Sequence, residues 1–210
     1  MREFSFYLAP ATRVRYYKEA TIADIYRCLT DPRVAQKQTD TLRLLTDKDQ
    51  RAGYKRTAFH YCTFSGTFGP QRKNAALQAH SGYLCHDFDH LDDIAATKRL
   101  LLADTEFETL LLFTSPSGQG LKWVIETDLS KATHIEWFNA VSNYLRATYG
   151  LQSDPACKNV ARACFIPYDP DAYIAPRLLP DVQTIAESNP AVIGLMNKFC
   201  VTNIQKKNYE

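Results

Sequence analysis

The 210-residue chain lacks several things that would assign it quickly. No apolar run approaches the roughly 18 residues of a membrane-spanning helix. Met1-Arg2-Glu3-Phe4-Ser5-Phe6 has no charged stretch leading into an apolar one, so no signal peptide is expected. The six cysteines (Cys28, Cys62, Cys85, Cys157, Cys164, Cys200) include no C-x-x-C pair. That spacing supports neither a disulfide framework nor a zinc site, and it fits a reducing cytosol. The formal net charge is only +2, so any nucleic-acid surface must be local. Glycines number eight, and neither the P-loop spacing nor a dinucleotide fingerprint occurs. There is no internal repeat, low-complexity segment or Pro/Gly/Ser linker.

What remains is an ordinary globular composition, 45% hydrophobic and 23% charged. Strands are expected at 3–8, 14–17, 58–64, 83–88, 109–114, 121–126 and 161–167. Helices are expected from Thr21 to Pro32, where proline interrupts, over 91–102, and over 130–149 with Gly150 as the stop. Residues 33–52 read as weak helix and connector, with 47–51 a solvated face. Residues 65–70 read as a turn. Residues 180–210 read as peripheral helix and a polar tail. Strands and helices mix without steady βαβ alternation. The expected fold class is therefore α+β, a mainly antiparallel sheet covered by helices on one side. The expected organisation is one domain: an N-terminal α/β cap (1–55), a core (56–175) and a C-terminal periphery (176–210).

The chemistry gathers in three places. Tyr83-Leu84-Cys85-His86-Asp87-Phe88-Asp89 is an apolar strand running into two acids. Side chains two apart share a strand face, so Asp87 and Asp89 are expected to project together as ligands for Mg²⁺ or Mn²⁺. Chance acids at a strand end are the alternative. His86 falls on the opposite face and reads as packed or partnered. Ser115-Pro116-Ser117-Gly118-Gln119-Gly120 joins two strands in a hairpin and leads to Lys122. Such a turn can cradle a phosphate on backbone N–H groups, with Lys122 as point charge, although a tight hairpin needs glycine anyway. Asp154 is a candidate third carboxylate, and Arg162 a candidate phosphate ligand near Lys158. Asp169 and Asp171 compete for the third-acid role. Lys55, Arg56, Arg72 and Lys73 can form a basic rim, with Tyr54 and Phe68 available to stack on bases.

Four stretches in this order (63–68, 82–91, 115–122 and 161–171) resemble the archaeo-eukaryotic primase, or primase-polymerase, superfamily. They look specifically like its VirE N-terminal-like branch, found in primase–helicase chains of bacterial mobile elements. The resemblance covers roughly residues 55–175. It implies an RRM-like sheet and two-metal nucleotidyl transfer, with Asp87, Asp89 and Asp154 holding Mg²⁺ or Mn²⁺. It implies that Ser115, Ser117, Gly118, Gly120, Lys122 and Arg162 contact an incoming nucleoside triphosphate. It further implies a single-stranded DNA template, a fused or separate helicase, and a cytoplasmic setting. Lys122 stands where the wider superfamily has a histidine. Two other readings stay open: a non-catalytic nucleic-acid-binding module of the same fold, and an Asp-x-Asp metal-dependent transferase of another class.

Overall fold

Helix caps and period-two apolar strands account for most of the architecture. The structure, a computed structural model, describes residues 2–179. In chain order its elements are β1 (Phe4–Tyr7), β2 (Lys18–Ala20), α1 (Ile22–Thr30), α2 (Pro32–Leu44), α3 (Lys48–Ala58), β3 (Tyr61–Thr63), β4 (Gly66–Phe68), β5 (Leu77–His80) and β6 (Tyr83–Phe88). There follow α4 (Ile94–Leu102), β7 (Leu111–Thr114), β8 (Leu121–Glu126), α5 (His134–Tyr149), β9 (Cys164–Phe165) and β10 (Tyr173–Ile174). The segment 180–210, read from sequence as peripheral, lies outside the described residues.

The strands pair antiparallel, and the fold is α+β as expected. They form a sheet ordered β2-β1-β3-β9, a second ordered β10-β7-β8-β6, and a small β4-β5 ribbon. One core lies between the two larger sheets. Phe4, Phe6, Cys62 and Phe64 meet Leu111, Phe113 and Val124 there, with Ile22, Ile25 and Leu29 of α1. A second core joins Leu84, Phe88, Leu112, Trp123 and Ile125 to Phe138, Val141 and Leu145 of α5 and Leu101 of α4. Burying each such side chain contributes about 1.5–3 kcal/mol. The second sheet is thus covered on both faces, by helices on one and by the first sheet with α1 on the other. Its strands β6 and β8 place residues of both cores in alternation.

Several expectations need correction. The N-terminal segment is no cap: β1 is an inner strand of the first sheet, and α3 runs across the expected boundary at residue 55. The first helix does stop at Thr30, ahead of Pro32 as expected, but Pro32 also begins α2, with the Asp31 side chain accepting from the Arg33 N–H. A fixed φ and a missing N–H suit a first helical turn. Asp47 caps α3 through its side chain, so the solvated face at 47–51, exposed over 47–50 as expected, is also the start of a helix. Residues 14–17 form no strand, and the aromatic strand begins at Tyr61 because α3 extends through Ala58. Gly66 lies in a strand rather than a turn, because a Cβ there would strike the Ala79 carbonyl across the ribbon. Two of the sequence-read helices, α1 and α5, carry reciprocal caps. Thr21 and Asp24, and likewise Thr133 and Glu136, form reciprocal capping boxes.

Candidate metal and phosphate site

The site begins with cross-strand pairing. Along β6 and β8, Cys85 opposes Val124 and Asp87 opposes Lys122. Directly opposed side chains share a face, so the acid and the base meet. Lys122 Nζ forms an ion pair with Asp87 Oδ2. Asp87 is only 6% exposed, and its other oxygen, Oδ1, is buried without a hydrogen-bond partner. A buried carboxylate oxygen left unpaired is costly, which is why such atoms are rare unless they receive a ligand.

A backbone bond brings the next acid in. The Asp154 N–H donates to the Asp87 carbonyl at 2.8 Å. Asp154 then caps the 3-10 turn Pro155–Lys158, its Oδ1 accepting from the Ala156 N–H at 2.9 Å. Its Oδ2 accepts from Arg162 Nη2 at 2.8 Å. One ligand atom each from Asp87, Asp154 and Cys157 fall within 4.8 Å of one another. Asp154, and neither of its competitors, therefore joins Asp87. Asp169 is spent elsewhere, with Oδ2 on the Thr114 N–H at 2.6 Å and Oδ1 on the Asp171 N–H at 3.2 Å. The Asp171 carbonyl accepts from Lys98 Nζ. Asp89 lies past the end of β6, exposed, and outside the three-residue cluster.

Both Asp87 and Asp89 nevertheless line one cavity of about 690 Å³, and Ser115, Ser117, Lys122 and Arg162 line it too. Lys55, Arg56 and Arg72 reach the same cavity from α3 and the loop after β4. Burial pulls the Lys55 ammonium below its ordinary pKa, and repulsion from Lys122 and Arg162 adds to this while Asp89 opposes it. The wall thus mixes cations with two acids, Asp87 buried and Asp89 exposed. Arg72 is partly committed, donating to the Ala161 carbonyl at 2.8 Å and lying over the Tyr61 ring.

Five expected contributors do something else. Gly118 and Gly120 do not line the cavity. Gly118 has φ +75° beside the Arg43 side chain, and its N–H is used by the Ser115 carbonyl. A Cβ on Gly120 would collide with the Phe88 carbonyl, so the glycine lets the hairpin close over β6. Lys73 is exposed and outside the cavity wall. Phe68 is wholly buried and cannot stack on a base, while Tyr54 packs edge-on against Phe59.

Cys157 is the member that sequence reasoning missed. Burial pushes its thiol up to about 12. The available signal was Asp154-Pro155-Ala156-Cys157: proline after a capping acid starts a tight turn, and in a 3-10 turn side chains three apart eclipse. His86 behaves as read. It is buried between Phe88 and Phe138, with Nδ1 2.9 Å from Ser153 Oγ, and burial first, then His134, holds its pKa at about 3.

The sequence model of one protein family, described as BT4734-like, N-terminal domain, matches residues 54–174, more than half of the chain. The chain belongs to the BT4734-like N-terminal domain family. Its matched span contains β3 to β10 and every residue of the cavity wall except those near Pro10 and Gly53. No curated protein and no solved structure matches the chain.

Proposed function

We propose that this BT4734-like domain is a primase-polymerase-type nucleotidyltransferase that extends nucleotide chains on single-stranded DNA during replication of a bacterial mobile element. The observation that carries the reading is the single cavity: Asp87 and Asp89 share a wall with Lys55, Lys122, Arg162 and the Ser115 and Ser117 hydroxyls. A triphosphate needs cations and hydroxyl donors close to carboxylates, and this wall supplies both. The orphaned Oδ1 of Asp87 fits a cation ligand, and Asp154 stands beside it. A bound Mg²⁺ or Mn²⁺ would supply charge neutralisation for the triphosphate and acidify the attacking hydroxyl.

The chain's own groups do the rest. Lys122 and Arg162 hold phosphate oxygens, and Lys55, already crowded by both cations, gains most from an incoming anion. Ser115 and Ser117, whose hydroxyls lie 3.0 Å apart, donate to a neighbouring oxygen. Arg56, exposed at the cavity, meets the template backbone. A helicase, fused or separate, would supply the unwound strand, and the setting would be the cytoplasm. Among the described residues no helix is long and apolar enough to cross a membrane.

The test is metal-dependent incorporation of labelled nucleotides on a primed single-stranded template. Activity in wild type that disappears in Asp87→Ala supports the reading; activity that survives Asp87→Ala overturns it. A second reading has its own support. Both acids carry a cation, Asp87 with Lys122 and Asp154 with Arg162. Charge pairs of this kind suit a non-catalytic binding module. Tight single-stranded DNA binding by a wild type that incorporates nothing would favour it.

A further inference from the structure

Nucleotidyl transfer gives no reason for a thiol beside the two acids, yet Cys157 is there. Its Sγ lies within 4.8 Å of an oxygen of Asp87 and an oxygen of Asp154. Two independent features point to a ligand at this spot. Asp87 is more than nine-tenths buried and its Oδ1 has no partner, while Oδ2 is held by Lys122. A small pocket of about 20 Å³ lies against Asp87, Lys122 and Cys157, which is room for one water-sized particle.

The chemistry of the donors decides what kind of ion belongs there. Two carboxylates alone suit a hard cation. Sulfur shifts preference toward borderline and soft ions, and Mg²⁺ in particular avoids it. Charge points the same way. Lys122 and Arg162 already stand beside the cluster. A dication joins two such cations more easily when a third negative ligand is added. We propose that Asp87, Asp154 and Cys157 together bind a thiophilic divalent ion such as Zn²⁺, Co²⁺ or Cd²⁺ in preference to Mg²⁺. The proposal rests on the reading of Asp87 and Asp154 as cation ligands. On binding, the Cys157 thiol releases its proton to solvent, and the freed sulfur lone pair forms the metal–sulfur bond. No electron transfer is involved.

The experiment titrates the reduced full chain with Co²⁺ and follows thiolate-to-cobalt charge-transfer absorption in the near ultraviolet, with calorimetry in parallel. Wild type should saturate at one ion with the band present. Asp154→Asn should weaken the band. Cys157→Ser should abolish it and weaken Cd²⁺ binding by at least roughly 10-fold, while leaving Mg²⁺ binding unchanged. Thermal unfolding of each variant checks that it folds, and the wild-type band needs no variant at all. Calorimetric binding without a band overturns the thiol ligand and leaves the carboxylate site standing. A band that persists in Cys157→Ser overturns the assignment to this cysteine. Binding indifferent to both Asp87→Asn and Asp154→Asn overturns the proposal and the reading beneath it. A Cys157-dependent band in a protein that incorporates no nucleotide supports the ion site and removes only the polymerase.

Discussion

Asp87 and Asp169 are equally hidden, at 6% and 5% exposure, and each has a lysine beside it. They differ in how their oxygens are used. Asp169 accepts from two backbone N–H groups, one at the end of β7 and one in its own turn, with Lys98 at 3.9 Å. Asp87 has Lys122 on one oxygen and nothing on the other. Asp169 is a fastening between the end of β7 and the loop after β9. Asp87 is a buried charge kept only half satisfied. Burial alone therefore does not separate the two acids; the unmet oxygen does.

The comparison can be broken from either side. The largest effect expected is on catalysis. Asp87→Asn should lower nucleotide incorporation by roughly 1000-fold, about 4 kcal/mol in the transition state. Its unfolding free energy in urea should fall by less than that of an alanine variant, because the asparagine oxygen still accepts from Lys122. Asp169→Ala should do the reverse, costing about 3 kcal/mol of stability because it strands the Thr114 and Asp171 N–H groups. If Asp169→Ala unfolds like wild type, the contrast between the two acids fails.

A smaller effect concerns acid. His86 is held at about 3 and His80 at about 4, against an ordinary 6.5, by burial first and by a neighbouring histidine second. Their folded values are depressed, so the unfolded chain binds more protons between those values and about 6.5. The stability they contribute is complete above about pH 6.5. It is lost as pH falls, at up to about 1.4 kcal/mol per pH unit for each histidine. Unfolding of His86→Leu between pH 6.5 and 4 should show a slope shallower by that amount. An unchanged slope would assign the acid limb to other groups. The smallest effect is at the hairpin. Gly118 has φ +75°, so Gly118→Ala should cost about 1 kcal/mol. A loss of only a few tenths in the same assay would show that the turn tolerates a side chain.

How much of this was legible depended on distance along the chain. The alternation of β6 was readable from Tyr83 to Phe88, and with it the separation of Asp87 from His86. The 111–126 hairpin was readable, and it fixes which face of β8 carries Lys122. The meeting of Lys122 with Asp87 was not, because it depends on β6 pairing with β8 across α4 and β7. Asp154 was legible only as one of three candidate third acids beside Asp169 and Asp171, since no local pattern reports a bond to the Asp87 carbonyl. β4, β5 and β10 were missed because each is at most four residues long, and Gly66 looks like a turn residue until Ala79 is placed opposite it. Phe68 was misjudged because an aromatic near basic residues looks the same in sequence whether it faces a cavity or a core.

The main-chain bond from Asp154 to the Asp87 carbonyl has one more consequence. It makes the spacing between the two acids a property of the scaffold and not of the letters written on it. Substituting glutamate for Asp154 or histidine for Cys157 would change the ligand while the anchoring bond stays in place. The proposed ion site would therefore be open to redesign: its metal preference could be rewritten one side chain at a time, with the main-chain spacing of its two acids already set.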